Sequence, residues 1–396
     1  MKVALFTGTI LLQGKNLDVR EAYVIERLKK LKNYDLSIEV LTPKVEESHL
    51  PHFRTLDYNM YKICYRKKIK FLSVALFSSF KLFKLNCDII HCYTYQAAFI
   101  AQMINFLKRN KYFVLFEPMG LAYEESTTSK NKSWRSKLNR SFVKRIEKRT
   151  FQKSNGVIVY TEIMRTYVSQ EFDISIDYIY VVPHGVNIPN NFVSKKEDED
   201  RFREKLHIQN ENKIAMYVGS LSELHGVMYL AEAMNYLKDK KQDISLVILG
   251  SGPLELTLKK YIRDKNLDNI FIRGFVPSDA IPFYLSLADV LLIPHAKCMQ
   301  TELDQPTKLF EYLSSGKPIV SFKLQAIKEV VGENAILVEP DNPKKFSDSL
   351  LQLLEDEDLM NKLGLKGKEI VRTYTWAKSS EKQYESYLKL MNTYHN

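Results

Sequence analysis

Lys308 and Glu311 stand one helical turn apart in Gln305-Pro306-Thr307-Lys308-Leu309-Phe310-Glu311-Tyr312. The stretch reads as a short helix with both ends written in sequence. Thr307 is placed to cap it, Gly316 suits the left-handed residue that ends it, and Pro318 forbids continuation. An apolar strand precedes it at 289–294 and another follows at 319–322. A cation and a carboxylate at a helix N-terminus just past a strand end are where an α/β sheet holds a phosphorylated ligand. An ordinary amphipathic helix with surface charges reads the same way, so this stretch alone leaves both readings open.

Three glycine-marked turns upstream bear on the choice. Val218-Gly219-Ser220-Leu221 leads through His225-Gly226 into a helical pattern, and its glycines let the backbone bend and present N–H groups to an anion. Leu249-Gly250-Ser251-Gly252 repeats that logic after the next strand. At Arg273-Gly274-Phe275-Val276-Pro277, open backbone groups and an aromatic suit a nucleobase. A glycine after a strand is usually only a turn. The succession of three, ending at Lys308 and Glu311, points to one ligand-binding edge.

The elements needed to hold such an edge are present. Residues 3–7, 37–42, 88–91, 112–116, 157–160 and 178–182 read as strands, separated by helical patterns at 19–31, 67–85, 97–107 and 137–151. The alternation restarts with strands at 214–218, 245–249, 270–273, 290–294, 319–321 and 335–338. Helical patterns close the chain at 346–354, 359–371 and 376–390. Strands alternating with helices imply parallel βαβ units. The expected fold class is α/β, with two doubly wound Rossmann-like domains facing a central cleft. Their expected limits are 1–188 and 189–375, with a last helix at 376–396 returning to the first domain. The charged run 195–205 reads as boundary sequence.

At 396 residues, 45% apolar and 27% charged, the chain has the balance of a folded protein. Met1-Lys2-Val3-Ala4-Leu5-Phe6 reads as a strand rather than a signal peptide, and no apolar run is long enough to span a bilayer. The four cysteines lack metal spacing and read as reduced thiols, so a cytoplasmic location is expected, with no metal site. The net charge of +11 invites a nucleic-acid partner, but no nucleic-acid module accompanies it. The basic residues gather at 66–84 and 130–153, interleaved with aromatics. That suits an anionic membrane surface on the inner face, while solvated lysines over a core helix explain the same pattern.

Across roughly residues 180–390 the chain resembles the group 1 retaining glycosyltransferases of the GT-B fold. The resemblance rests on Tyr217-Val218-Gly219-Ser220-Leu221, His225-Gly226-Val227, Leu249-Gly250-Ser251-Gly252-Pro253 and Gly274-Phe275-Val276-Pro277. It continues through Ala288-Asp289-Val290-Leu291-Leu292-Ile293-Pro294, Lys308-Leu309-Phe310-Glu311-Tyr312 and Gly316-Lys317-Pro318-Ile319-Val320. It implies transfer of a sugar from a nucleoside diphosphate sugar to a glycan or lipid-linked acceptor, with retention and without cofactor or metal. It assigns Glu311 to the ribose and Arg273, Phe275 and Val276 to the base. Gly219, Ser220, Gly250, Thr307 and Leu309 are the further donor-site candidates, and Lys308, His225 and Glu302 are the catalytic candidates.

Departures from the family pattern fall on charged positions. Ser220 stands where arginine is usual and His225 where lysine is usual, which leaves Lys308 to compensate. Leu303 occupies the position of a donor-sugar glutamate, with Glu302 and Asp304 beside it. Met119-Gly120 stands where a histidine–glycine pair is common. His91, Glu117, Met119 and Gly120 are the acceptor-side candidates. Two rival readings fit the same sequence: a catalytically weak nucleotide-sugar-binding subunit, and a sugar-nucleotide epimerase of the same fold.

Overall fold

The protein is described by a computed structural model covering residues 1–6, 19–43, 59–63, 82–121, 134–188, 195–238, 240 and 243–393. The chain forms two compact units. Residues 1–185 and 376–396 make the first, and residues 186–375 the second.

In the first unit, β1 (Lys2–Phe6), α1 (Val19–Leu31), β2 (Ser37–Pro43) and β3 (Asn59–Ile63) are followed by β4 (Ile89–Cys92) and α2 (Tyr95–Leu107). Then come β5 (Phe113–Phe116), α3 (Trp134–Lys153), β6 (Gly156–Val159), α4 (Glu162–Phe172) and β7 (Ile179–Val181). The seven strands are all parallel, in the order β3-β2-β1-β4-β5-β6-β7. Helices on both faces bury such a sheet, which is why β4 and β6 are buried at every position. Most of the helix expected at 67–85 and part of the basic run 66–84 lie outside the described residues.

The second unit opens with α5 (Lys196–Leu206) and β8 (Lys213–Val218). The stretch expected to be boundary sequence is therefore largely helical. Glu197, Asp198 and Glu199 fill its first turn and Arg203 and Lys205 its last, each sign matching the helix dipole, while Phe202 anchors it in the core. Next come α6 (Val227–Leu237), β9 (Ile244–Leu249), α7 (Glu255–Asp264), β10 (Ile270–Gly274), α8 (Ile281–Leu287) and β11 (Val290–Ile293). Then α9 (Met299–Leu303), α10 (Thr307–Ser315), β12 (Ile319–Phe322), α11 (Gln325–Val331), β13 (Ile336–Val338), α12 (Pro343–Leu354) and α13 (Glu357–Val371) complete it. The parallel order is β10-β9-β8-β11-β12-β13. Strand succession reverses between β8 and β11, and the crevice beyond their C-terminal ends is where sheets of this kind take ligands.

The chain then returns to the first unit as α14 (Trp376–Thr393), packed along α1. Arg27 on α1 is the centre of that contact. Its Nη1 donates to Glu117 Oε2 at 3.1 Å and to Gln383 Oε1 on α14 at 3.2 Å, and its Nη2 pairs with Glu117 Oε1. His91 Nε2 lies 3.0 Å from Glu117 Oε2, and its Nδ1 lies 2.8 Å from the Tyr387 hydroxyl. Burial alone would raise the Glu117 pKa, but Arg27 and His91 outweigh it and hold it down to about 2. His91 and Glu117 are fully buried and engaged in this network, and Met119 is buried in the core of the unit. None of these three side chains is open to an acceptor, contrary to expectation; Gly120, the fourth candidate, is half-buried.

Breaking the pair from one side leaves a buried charge without compensation. Arg27→Met is expected to cost roughly 3–5 kcal/mol in urea unfolding. Because the folded pKa of Glu117 is depressed, its contribution is complete above its ordinary pKa and is lost as pH falls toward about 2. Glu117→Gln should therefore flatten the acid limb of the stability–pH curve.

Candidate functional site

The donor-side candidates lie at the C-terminal edge of the second sheet. β8 is a run of apolar residues ending at Val218, whose N–H donates to the Tyr312 hydroxyl at 2.8 Å. That bond fixes α10 against the strand end. α10 begins at Thr307 with Pro306 as its cap residue, so the expected capping role of Thr307 is not realised. Proline pre-sets the backbone there but offers no side-chain oxygen to the first turn. The predicted end is as observed: Gly316 has φ +73° and its N–H bonds to the Leu313 carbonyl.

Lys308, the second residue of α10, points inward. It is 8% exposed, and its Nζ lies 4.3 Å from the centroid of the Tyr217 ring. The Nζ has no hydrogen-bond partner. Gly219 makes room for it: its φ is +148°, and a side-chain carbon there would collide with the amine. Burial lowers the Lys308 pKa to about 7, against the opposing pull of Glu311. Burial likewise raises that of Glu311, with Lys308 opposing. A cation over an aromatic face is weakly favoured, yet an ammonium kept from water without a hydrogen bond is costly.

Two histidines join this amine. His225, half-buried, receives or gives a 2.7 Å hydrogen bond between its Nδ1 and Ser222 Oγ. His295 follows β11 and is 6% exposed; the two rings meet edge to face with centroids 4.9 Å apart. Burial, then the nearby Lys308, lowers the His225 pKa to about 4, and the same causes push His295 well down. His225 is thus neutral in the unliganded protein. Sequence reasoning missed His295 because it looks like the residue after a strand and nothing more. It also missed Gln305, which is 2% exposed with both amide heteroatoms lacking a hydrogen-bond partner.

Other candidates divide. Ser220 is exposed, with its carbonyl accepting from the Tyr217 hydroxyl at 2.8 Å. Gly250 donates its N–H to the Gly274 carbonyl at 2.8 Å, tying the second turn to the third. Arg273 and Phe275 are exposed and Val276 half-buried where β10 ends. The Leu309 side chain is fully buried in the core, and its N–H bonds to the Pro306 carbonyl. Glu302, the candidate beside Leu303, is engaged with its neighbours. Its Oε2 accepts from the Gln325 N–H at the start of α11 at 2.7 Å, and Lys297 lies 3.6 Å from Oε1. The dipole and open N–H groups of that helix start hold the carboxylate.

Lys308 destabilises the unliganded fold, since the unfolded chain holds its proton more tightly. Lys308→Met should raise the urea midpoint, and the gap should be widest below pH 7 and narrow toward pH 10.5. Unfolding at pH 6 and pH 9 checks this.

Comparison with known proteins bears on the family and the fold. A family described as "Glycosyl transferases group 1" matches residues 198–370, and one described as "Glycosyltransferase Family 4" matches residues 21–189. An uncharacterized glycosyltransferase of Methanocaldococcus jannaschii is 22% identical over 99% of both chains. A poly(ribitol-phosphate) alpha-N-acetylglucosaminyltransferase of Staphylococcus aureus is 27% identical over 61% of this chain and 44% of its own. Among solved structures, Anabaena HepE in complex with UDP superposes with a TM-score of 0.76 at 15% identity, covering 98% of this chain and 99% of that one.

Proposed function

The chain belongs to the group 1 glycosyltransferases, and we propose that it transfers a sugar from a nucleoside diphosphate sugar to a glycan or lipid-linked acceptor, with retention at the anomeric carbon. The observation that carries this reading is the Lys308 amine, buried and unpaired beneath the Gly219 turn at the switch point of the sheet. A diphosphate leaving group supplies the negative charge that the site lacks. Preorganised charge at a leaving group commonly contributes more to such catalysis than any other single effect.

In this reading the β-phosphate meets Lys308 and His225, without a metal. Glu311 accepts from the ribose hydroxyls, and the base rests on the end of β10 at Arg273, Phe275 and Val276. The UDP complex of the Anabaena structure supports a nucleoside diphosphate at this kind of site. The acceptor side is read more coarsely, because His91, Glu117 and Met119 are committed to the first unit's interior. Arg145, Lys148, Arg149 and Phe142 are exposed on α3, which supports contact with an anionic membrane carrying a lipid-linked acceptor.

A binding subunit without turnover is the second reading, favoured by the burial of Leu303 and the engagement of Glu302. Thermal-shift screening with UDP-glucose and UDP-N-acetylglucosamine identifies the donor by mass action. Acceptor-dependent release of nucleoside diphosphate then separates the two readings, and the anomeric coupling of the product tests retention. Lys308→Ala is expected to lower kcat by about 10²–10³ while leaving the fold intact. Near-wild-type turnover in that variant would defeat the assignment.

A further inference from the structure

His295 is built into the same edge but has no role so far. The loop that carries it is tied down on both sides. The Ala296 N–H donates to the Leu224 carbonyl at 3.1 Å, and Thr301 Oγ1 donates to the Ala296 carbonyl at 2.7 Å. Gly226 closes against the carbonyl of Pro294, where any side chain would collide. The start of α6 is thereby held against the end of β11. That helix has eleven residues and no side-chain cap on its first N–H groups. Beside it stand two unpaired buried atoms, His295 Nε2 and Lys308 Nζ.

A neutral imidazole nitrogen left without a partner is costly in a packed interior unless a ligand completes it. The charged and titratable groups acting on His295 are Lys308 from α10 and His225 from the turn before α6. Beyond Lys308 stands Glu311. β12, the neighbour of β11, offers the Ser321 hydroxyl, which donates to the Ile293 carbonyl at 3.1 Å and adds no charge. With a lysine and a histidine already close, an anion suits the open nitrogen of His295 and a further cation does not.

We propose that His295 is a ligand of the donor's diphosphate, taking up a proton as the donor binds and holding it on the departing nucleoside diphosphate. This rests on the reading of the site as a nucleotide-sugar site. No bond is made to the imidazole. The proton comes from solvent on binding and returns when the product leaves. His295 and His225 together then supply positive charge that Ser220 cannot, and they do so only when the diphosphate is present.

The two kinds of group separate by pH. Lys308 has a pKa of about 7 in the unliganded protein, so it is mostly protonated at pH 6 and mostly neutral at pH 8. His225 lies lower, at about 4, and His295 is pushed down by the same burial, so uptake by the histidines on binding is read at pH 6. Titration calorimetry with UDP, and with inorganic pyrophosphate as a base-free probe, in buffers of different ionisation enthalpy reads the protons taken up.

His295→Asn is expected to reduce proton uptake at pH 6 by up to one proton relative to wild type, to weaken UDP by about tenfold there, and to leave uptake at pH 8 unchanged. Lys308→Met should show the opposite pattern, losing uptake at pH 8. His295→Gln, compared by thermal melting, supplies a second folded variant. Unchanged pH 6 uptake and affinity in a folded His295 variant, with wild type binding UDP, would overturn the proposal and leave the site reading standing. Wild-type protein that binds neither UDP nor pyrophosphate would overturn both.

Discussion

A primary amine kept from water with no hydrogen bond is the feature on which the second unit turns. An ammonium in a low-dielectric interior is stabilised only by compensating charge or by giving up its proton. Lys308 has Tyr217 beneath it and Glu311 one turn along, and these do not restore its ordinary affinity for a proton. Its surroundings nonetheless fix it there. Tyr312 pins α10 to the end of β8, and Gly219 leaves a space shaped to the amine. A fold that holds an expensive group so firmly is organised for a state in which that expense is offset, and a bound anion provides it.

Much of this arrangement was legible in sequence because it is local. Alternation of short apolar runs with helical spacing gave the parallel sheets, and Gly316 with Pro318 marked the end of α10. The glycine turns gave the edge. Legibility stopped where partners come from distant elements. Glu302 looks free beside Leu303, yet it caps a helix that starts at Gln325. His295 looks like a turn residue until His225 and Lys308 close around it. The run 195–205 looked like boundary sequence because its charges dominate, although their order along the helix is what stabilises α5.

The two units use the same chemistry to opposite ends. In the first, Arg27, Glu117 and His91 form a buried ionic network drawn from three elements. Such networks mark architecture, and they look like active sites in sequence because both need carboxylates and histidines at strand ends. In the second unit the Lys308 amine and His295 Nε2 are buried with no hydrogen-bond partner. Which partners such groups find across the fold is what no spacing of residues reveals.

The return of α14 to the first unit also orders events during synthesis. Gln383 completes the shell around Arg27 from 356 residues further along the chain. Units generally fold from the N-terminus as the chain emerges. Here the first unit is begun before the second and completed after it, because its core takes in α14. Until Gln383 is in place, the first unit holds a charged pair without one of its partners. A chain cut after Thr375 would therefore keep every residue of the second unit and leave the first without Gln383.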